Sequence, residues 1–415
     1  MLTAPVFAIV AAILILMFPD SVQNRWSPVM LSVTHLLVLG FAVMVMFGAV
    51  QQLLPVLAGV TFKRPQLVSI SLYVGLFFGV SLLCAGLFFS NASLLLGALL
   101  FLSVTAAAFF IIIMLGLLRS AANRDAIQGI RLAVLSFLIS ASLGLYLAAG
   151  HSLPEVSLAR NLTSLHLTWG LLGWIGLLVI AVSYQVVPMF QITPKYPKSI
   201  VRWLTPFIFL SLVLWSLTEL LQDNVAPNSW VRVLPEVGVI AGLLAFCLVT
   251  LRLQLQRRRK LPDVTLDYFR LALSCMMLAI FTWSMPAPWL PDQLNSEVLI
   301  GALLIIGFAM SVISGMLYKI VPFLIWLHLT NQIDMSDRWQ QAIPNMKQII
   351  PEVHSRWQLR LHASTVLFMI VGMLQLEWVI HLSAFLLLMS NLYLLRNLIL
   401  AVVIYRKVLH TSETS

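Results

Sequence analysis

The chain has 415 residues, of which 60% are hydrophobic and only 10% charged, and its mean hydropathy is +0.98. A soluble domain carries about 25% charged residues, so the composition excludes a soluble enzyme or carrier and describes an all-α integral membrane protein. The net charge of +10 falls in short loops between apolar runs, where it reads as a topological device; no nucleic-acid partner is expected.

Apolar stretches of about 20 residues cross the hydrocarbon layer as helices, because each backbone amide is then satisfied inside its own segment. Twelve are expected in chain order, over about 4–18, 28–58, 66–90, 92–118, 130–150, 161–191, 200–221, 235–255, 266–286, 296–328, 358–376 and 378–405. The first lacks a basic leader and a small-residue cleavage site, so it reads as a retained helix rather than a signal peptide. No loop is long enough for a soluble domain, the longest running from about 329 to 357 with two prolines. The expectation is a single polytopic membrane domain over 1–415.

Orientation follows from the cations. With both termini cytoplasmic, the outer loops hold Arg25, Arg160 and Arg232, which leaves 22 of the 25 Lys and Arg on the inner side. That places the protein in a bacterial inner membrane. Asp263, Asp267, Asp334 and Asp337 fall in basic inner loops and read as local charge balance. Cys84, Cys247 and Cys275 lie inside spans without CxxC pairing and read as small apolar packing residues.

An internal repeat is visible when the second, sixth and tenth spans are aligned on Pro55, Pro188 and Pro322, which stand 133 and 134 residues apart. Fifteen residues before each proline comes a glycine followed by an aromatic: Gly40 and Phe41, Gly173 and Trp174, Gly307 and Phe308. Seven residues before it stands Gly48, Ala181 or Gly315. The pairs just before the prolines are polar, namely Gln51 with Gln52, Tyr184 with Gln185, and Tyr318 with Lys319. Small residues and prolines are common in membrane helices, but chance does not set them at equal intervals. The unit is four helices long, giving repeats over about 1–130, 131–265 and 266–415. Each of the three helices should pack closely through its glycines and bend near its proline, with the polar pairs forming an inner-face cluster.

Of eight histidines, His35, His166 and His381 fall near the outer ends of the second, sixth and twelfth spans, whereas His328 and His362 are expected at the inner membrane face. His35 lies nine residues beyond Trp26, about 13 Å along the helix. An ionisable side chain at that depth marks a functional site, and a neutral imidazole ligates metal or haem iron. A histidine hydrogen-bonded across helices is the competing reading for any one of them.

With "THLLVLGF", "HLTWGLLGW" and the repeat prolines in view, the chain resembles the catalytic subunit of haem-copper oxidases and nitric oxide reductases. Its layout also resembles the NnrS group, twelve-helix haem proteins linked to nitric oxide stress. The resemblance implies three four-helix units in pseudo-threefold arrangement. It matches His35 to the low-spin haem ligand and His166 to the helix-six copper ligand. It further implies haem b held by His35 with His381, or next by His166, and a cytochrome or quinone as electron partner.

The departures bear on activity. Where the family carries His-x-His on its tenth helix this chain has Ile300 and Ala302, its seventh span has no histidine, and Gly170 replaces the helix-six tyrosine. Copper and terminal oxidase activity are therefore not expected; electron transfer or a gas, nitric oxide or haem-related role is. The alternative is a transporter or channel for a small solute on the same scaffold, with Gln51, Gln52, Tyr184, Gln185, Tyr318 and Lys319 near a polar path. Lys319 in that reading is either paired or snorkelling to the inner interface.

Overall fold

A computed structural model describes residues 1–120, 124–221, 229–258, 261–291, 294–332, 343–373 and 376–414. Its long helices are α1 (Ala4–Met17), α2 (Pro28–Ala58), α3 (Pro65–Phe88), α4 (Ala92–Arg119), α5 (Arg124–Ser152) and α6 (Arg160–Gln191). They continue with α7 (Lys198–Leu220), α8 (Trp230–Leu255), α9 (Val264–Ser284), α10 (Ser296–Gln332), α11 (Glu352–Gly372) and α12 (Glu377–Thr414). Ten of these are long and apolar enough to cross a membrane, the layout of a multi-pass membrane protein. The two that are not are α1 and α11. With 14 residues, α1 is about 21 Å long against a hydrocarbon thickness of about 30 Å. Glu352, Arg356 and Arg360 lower the apolar character of α11.

Local sequence sets the ends. Ser27 accepts from the Met30 amide at 3.0 Å with Pro28 in the first turn, and Asn91, Asp263 and Asn295 cap α4, α9 and α10 in the same way. Gly59 closes α2 in the left-handed conformation, at φ 61°.

Contacts divide the chain into two compact units. The first holds 1–42, 261–275 and 282–415. In it α1, α10 and α11 pack against α12, while Val22, Val298 and Ile380 form a small apolar cluster with Met30 against it. Arg25 pairs with Glu297 at 3.1 Å, and Asn295 donates to the Gln23 carbonyl, tying the loop before α2 to the start of α10. The second unit holds 43–260 and 276–281. Its interior is aromatic: Phe47 stacks on Phe109 with ring centroids 3.6 Å apart, and Phe137 and Trp174 pack edge-on or tilted around them.

The sequence pattern does not announce one feature of α2, α6 and α10. Each contains eight residues of π-helix, Leu36–Val43, Trp169–Gly176 and Leu303–Met310. They start 133 and 134 residues apart, the same spacing as the prolines. Runs of i→i+5 bonding pack poorly and are rare, so they persist where neighbours compensate. The fifth residue of each is the repeated glycine. A Cβ there would lie 2.5 Å from Phe7 at Gly40, 2.8 Å from Ser136 at Gly173 and 2.7 Å from Cys275 at Gly307. In each case the close neighbour is the helix that opens the corresponding repeat, α1, α5 or α9. The glycines thus do serve close packing, and they do so inside a π segment.

Candidate functional site

The polar residues of α11 recur at Ser355, Gln358, His362 and Thr365, steps of three, four and three that place them on one helix face. In a soluble protein such a face meets water. Here it is buried, with each of the four residues 3% exposed or less, while Trp357 and Leu367 point outward at 50% and 58%. The neighbouring helices match it. Thr265 and Tyr268 of α9, Ser311, Ser314 and Tyr318 of α10, and Ser390, Asn391 and Asn397 of α12 are all buried. The first unit therefore has a polar interior within an apolar exterior, the reverse of the aromatic interior of the second.

An unpaired polar group in hydrocarbon costs several kcal/mol, so such an interior holds together only through its hydrogen bonds. The Tyr268 hydroxyl donates to Gln358 Oε1, and Gln358 Nε2 donates to Ser390 Oγ at 2.9 Å. Asn397 Nδ2 donates to the Tyr318 hydroxyl at 3.0 Å, and the rings of Tyr268 and Tyr318 stack at 6.3 Å. Thr265 Oγ1 donates to the carbonyl of Gly315, where a side chain would strike Tyr268. At one end the network meets charge: Arg356 bridges Glu352 and Asp267 at 2.7 and 3.5 Å, and Lys319 pairs with Asp263 at 3.1 Å. The interfacial lysine is thus paired, and both acids balance local cations as expected. Asp334 and Asp337 lie outside the described residues.

His362 sits at the inner limit of this network. The expected span began at 358, which put His362 at the membrane face; α11 instead begins at Glu352. The difference arises because the first turns of α11 carry the charged and polar side chains that an apolar-run reading assigns to a loop. His362 is ten residues into the helix, about 15 Å. Its Nε2 lies 2.9 Å from Ser311 Oγ, the other ring nitrogen bonds the Ile306 carbonyl inside the third π segment, and its ring is 5.8 Å from that of Tyr268. The signal that could have found it is the three-four-three spacing of polar residues along α11.

The other histidines also stand near π segments. His35 immediately precedes the first, and its Nδ1 lies 2.7 Å from the Leu31 carbonyl. A carbonyl only accepts, so Nδ1 carries the proton and Nε2 the lone pair. His166 is three residues ahead of the second segment, with Nδ1 3.0 Å from the Ser140 carbonyl, which fixes the same tautomer. Its ring lies against Gly144, where a Cβ would come within 2.7 Å of it. Each imidazole thus has Nδ1 held by a backbone acceptor, the kind of outer contact that fixes the ring of a ligating histidine. His381 is half-buried near the start of α12, next to Ile380 of the cluster that Met30 packs against. The start of α12 therefore lies near the start of α2, which leads to His35.

The remaining sequence-selected residues do not form one cluster. Gln51 donates to the Phe47 carbonyl and accepts from Ser69; Gln52 and Gln185 are exposed. Tyr184 is buried, donates to the Ile200 carbonyl and packs on Tyr196, whose hydroxyl meets Thr250 at 2.8 Å. Tyr318 alone belongs to the polar interior. Among the described residues no three His, Cys, Asp or Glu side chains converge as a metal site.

No protein-family model matches the chain, and no curated protein matches it either. The functional reading therefore rests on the residues themselves.

Proposed function

We propose that the protein is a haem-binding membrane protein of the bacterial inner membrane. Its twelve helices form three four-helix units in pseudo-threefold order, with both termini on the cytoplasmic side. The observation that carries the haem reading is the placement of His35: it is held to the Leu31 carbonyl through Nδ1 at the start of a π segment, in the helix whose first turns pack near the start of α12 and His381. His35 and His381, at the neighbouring ends of α2 and α12, are the pair that would hold the iron of a b-type haem, and His166 is a further candidate ligand in its own unit. Bound haem supplies one-electron chemistry and gas binding, which suits electron transfer with a cytochrome or quinone, or a nitric oxide or haem-related role. The chain's own part is to hold the imidazoles in one tautomer and to surround them with apolar side chains that exclude water. Oxidase turnover and copper lie outside the proposal, because Ile300 and Ala302 stand where the resemblance puts haem ligands and the seventh span has no histidine for copper.

The second reading, a transporter for a small solute, draws on the polar interior of the first unit, since buried polar groups in membrane helices mark solute and ion paths. Absorption separates the two. Protein purified in detergent, oxidised and then dithionite-reduced, should show sharp reduced α and β bands, unchanged by carbon monoxide, and His35→Ala should lose them. A colourless protein after expression with ample haem refutes the haem reading and leaves the transporter.

A further inference from the structure

The haem reading has no use for His362, yet His362 is a fully buried titratable group of the polar interior. Its two nitrogens are engaged unequally. The Ile306 carbonyl can only accept, so the ring donates to it, and Nε2 lies 2.9 Å from the Ser311 hydroxyl, which can donate to a neutral ring. A neutral imidazole whose basic nitrogen faces a hydroxyl can take up a proton without breaking its other bond, because the hydroxyl turns and accepts instead. The bond to Ile306 stays in either state.

The polar residues of α11 lie mostly to one side of His362. From it, the polar stripe of α11 runs through Gln358 and Ser355 to the ion pairs of Arg356 with Glu352 and Asp267. In the other direction it stops at Thr365, and the helix continues as "VLFMIV" (Val366 to Val371). The stacked phenols of Tyr268 and Tyr318 stand beside the route, held by the carboxamides of Gln358 and Asn397. Carboxamides hold hydroxyls in place but do not exchange protons readily at neutral pH, so the carriers along the route are hydroxyls and entering water.

We propose that His362 is a proton-exchange site at mid-helix depth, reached from the end of the first unit that carries Asp267 and Arg356. A proton from water at that end adds to Nε2, no covalent bond other than that N–H forms, and the ring passes from neutral to singly positive. The reverse step returns the proton by the same route. The titratable ring against it is Tyr268 on α9, at 5.8 Å, with Tyr318 on α10 stacked on that ring; farther along lie Asp267, Glu352 and Arg356, Lys319 paired with Asp263, and Tyr393 under Arg396 on α12. Tyr393 is bonded to His354 at 2.9 Å, on the open side of α11. The site is independent of haem, and it defines the protein as one able to couple a buried, mid-helix charge to the proton concentration at one end of the first unit.

The test is histidine-selective hydrogen–deuterium exchange of the full chain in lipid nanodiscs, read by mass spectrometry over about pH 4 to 9. Exchange at the imidazole Cε1 proceeds through the protonated ring and needs solvent, so it reports protonation and access together. His362 should exchange with a sigmoidal pH profile, and Gln358→Leu should slow it by about tenfold while the exposed His328 and His410 keep their rates. Ser390→Ala is the milder second variant, expected to slow His362 in the same direction, and the unchanged rates of the other histidines certify the fold. His362 remaining undeuterated at Cε1 across the range while His410 exchanges overturns the proposal, as does unchanged exchange in both variants. None of these readouts depends on haem content, so the two proposals fail separately.

Discussion

Replacing Gly307 with alanine tests whether the π segments depend on close approach by the helix that opens each repeat. The new Cβ would lie 2.7 Å from Cys275 Cβ and 2.8 Å from its Sγ. Carbon atoms rest at about 3.5 to 4.0 Å, so α9 and α10 must part locally by about 1 Å. Overpacking of this kind costs about 1–3 kcal/mol, partly offset by the gain of up to about 1 kcal/mol on replacing a helical glycine. The expected net loss is about 1–2 kcal/mol. Gly301 is the internal control: it lies in the same helix, and a Cβ there meets nothing within 4 Å. Gly301→Ala should be neutral or stabilising by up to about 1 kcal/mol. Thermal unfolding in a mild detergent, scored by tryptophan fluorescence, compares the two. Cys275→Gly carries its own cost as a helical glycine, but because it removes the obstructing Cβ, the double variant should lose less than the sum of the two single losses. Equal stability of the Gly301 and Gly307 variants, or fully additive losses in the double variant, refutes the reasoning.

Other outcomes follow from the same structure. Phe109→Ala removes the centre of the aromatic interior and should cost about 3–5 kcal/mol, measured by the same unfolding assay. Asp263 both caps α9 and pairs with Lys319. Asp263→Asn keeps the cap and should cost under about 1 kcal/mol, with the difference from wild type shrinking at high salt; Asp263→Ala should cost about 0.5–2 kcal/mol more and keep most of that cost in salt. Gly144→Ala pushes a methyl to within 2.7 Å of the His166 ring, so the imidazole must rotate off the Ser140 carbonyl. Nitrogen-15 NMR of labelled histidine should then report a changed tautomer population at His166 and none at His35.

The membrane class, the ends of most spans and the three-part periodicity were legible in the amino-acid order. Each depends on local physics: the length of an apolar run against the thickness of a bilayer, caps such as Ser27 and Asn91, and small residues at fixed intervals. The π segments were not legible, although their glycines were. Which side chain comes against Gly40, Gly173 or Gly307, inside the π segments, is decided only by packing. The His35 and His166 tautomers belong to the same class, because the Ser140 carbonyl that holds His166 is 26 residues away in the chain.

The polar interior is the sharpest case. Ser355, Gln358, His362 and Thr365 share a helix face by sequence alone, yet the order of residues does not say whether that face meets water or protein. The apolar stripe is the buried one in a soluble helix and the outward one in lipid. Only the tertiary structure, by setting α11 against α9, α10 and α12, turns the polar face inward and gives His362 its partners at Ser311 and Ile306.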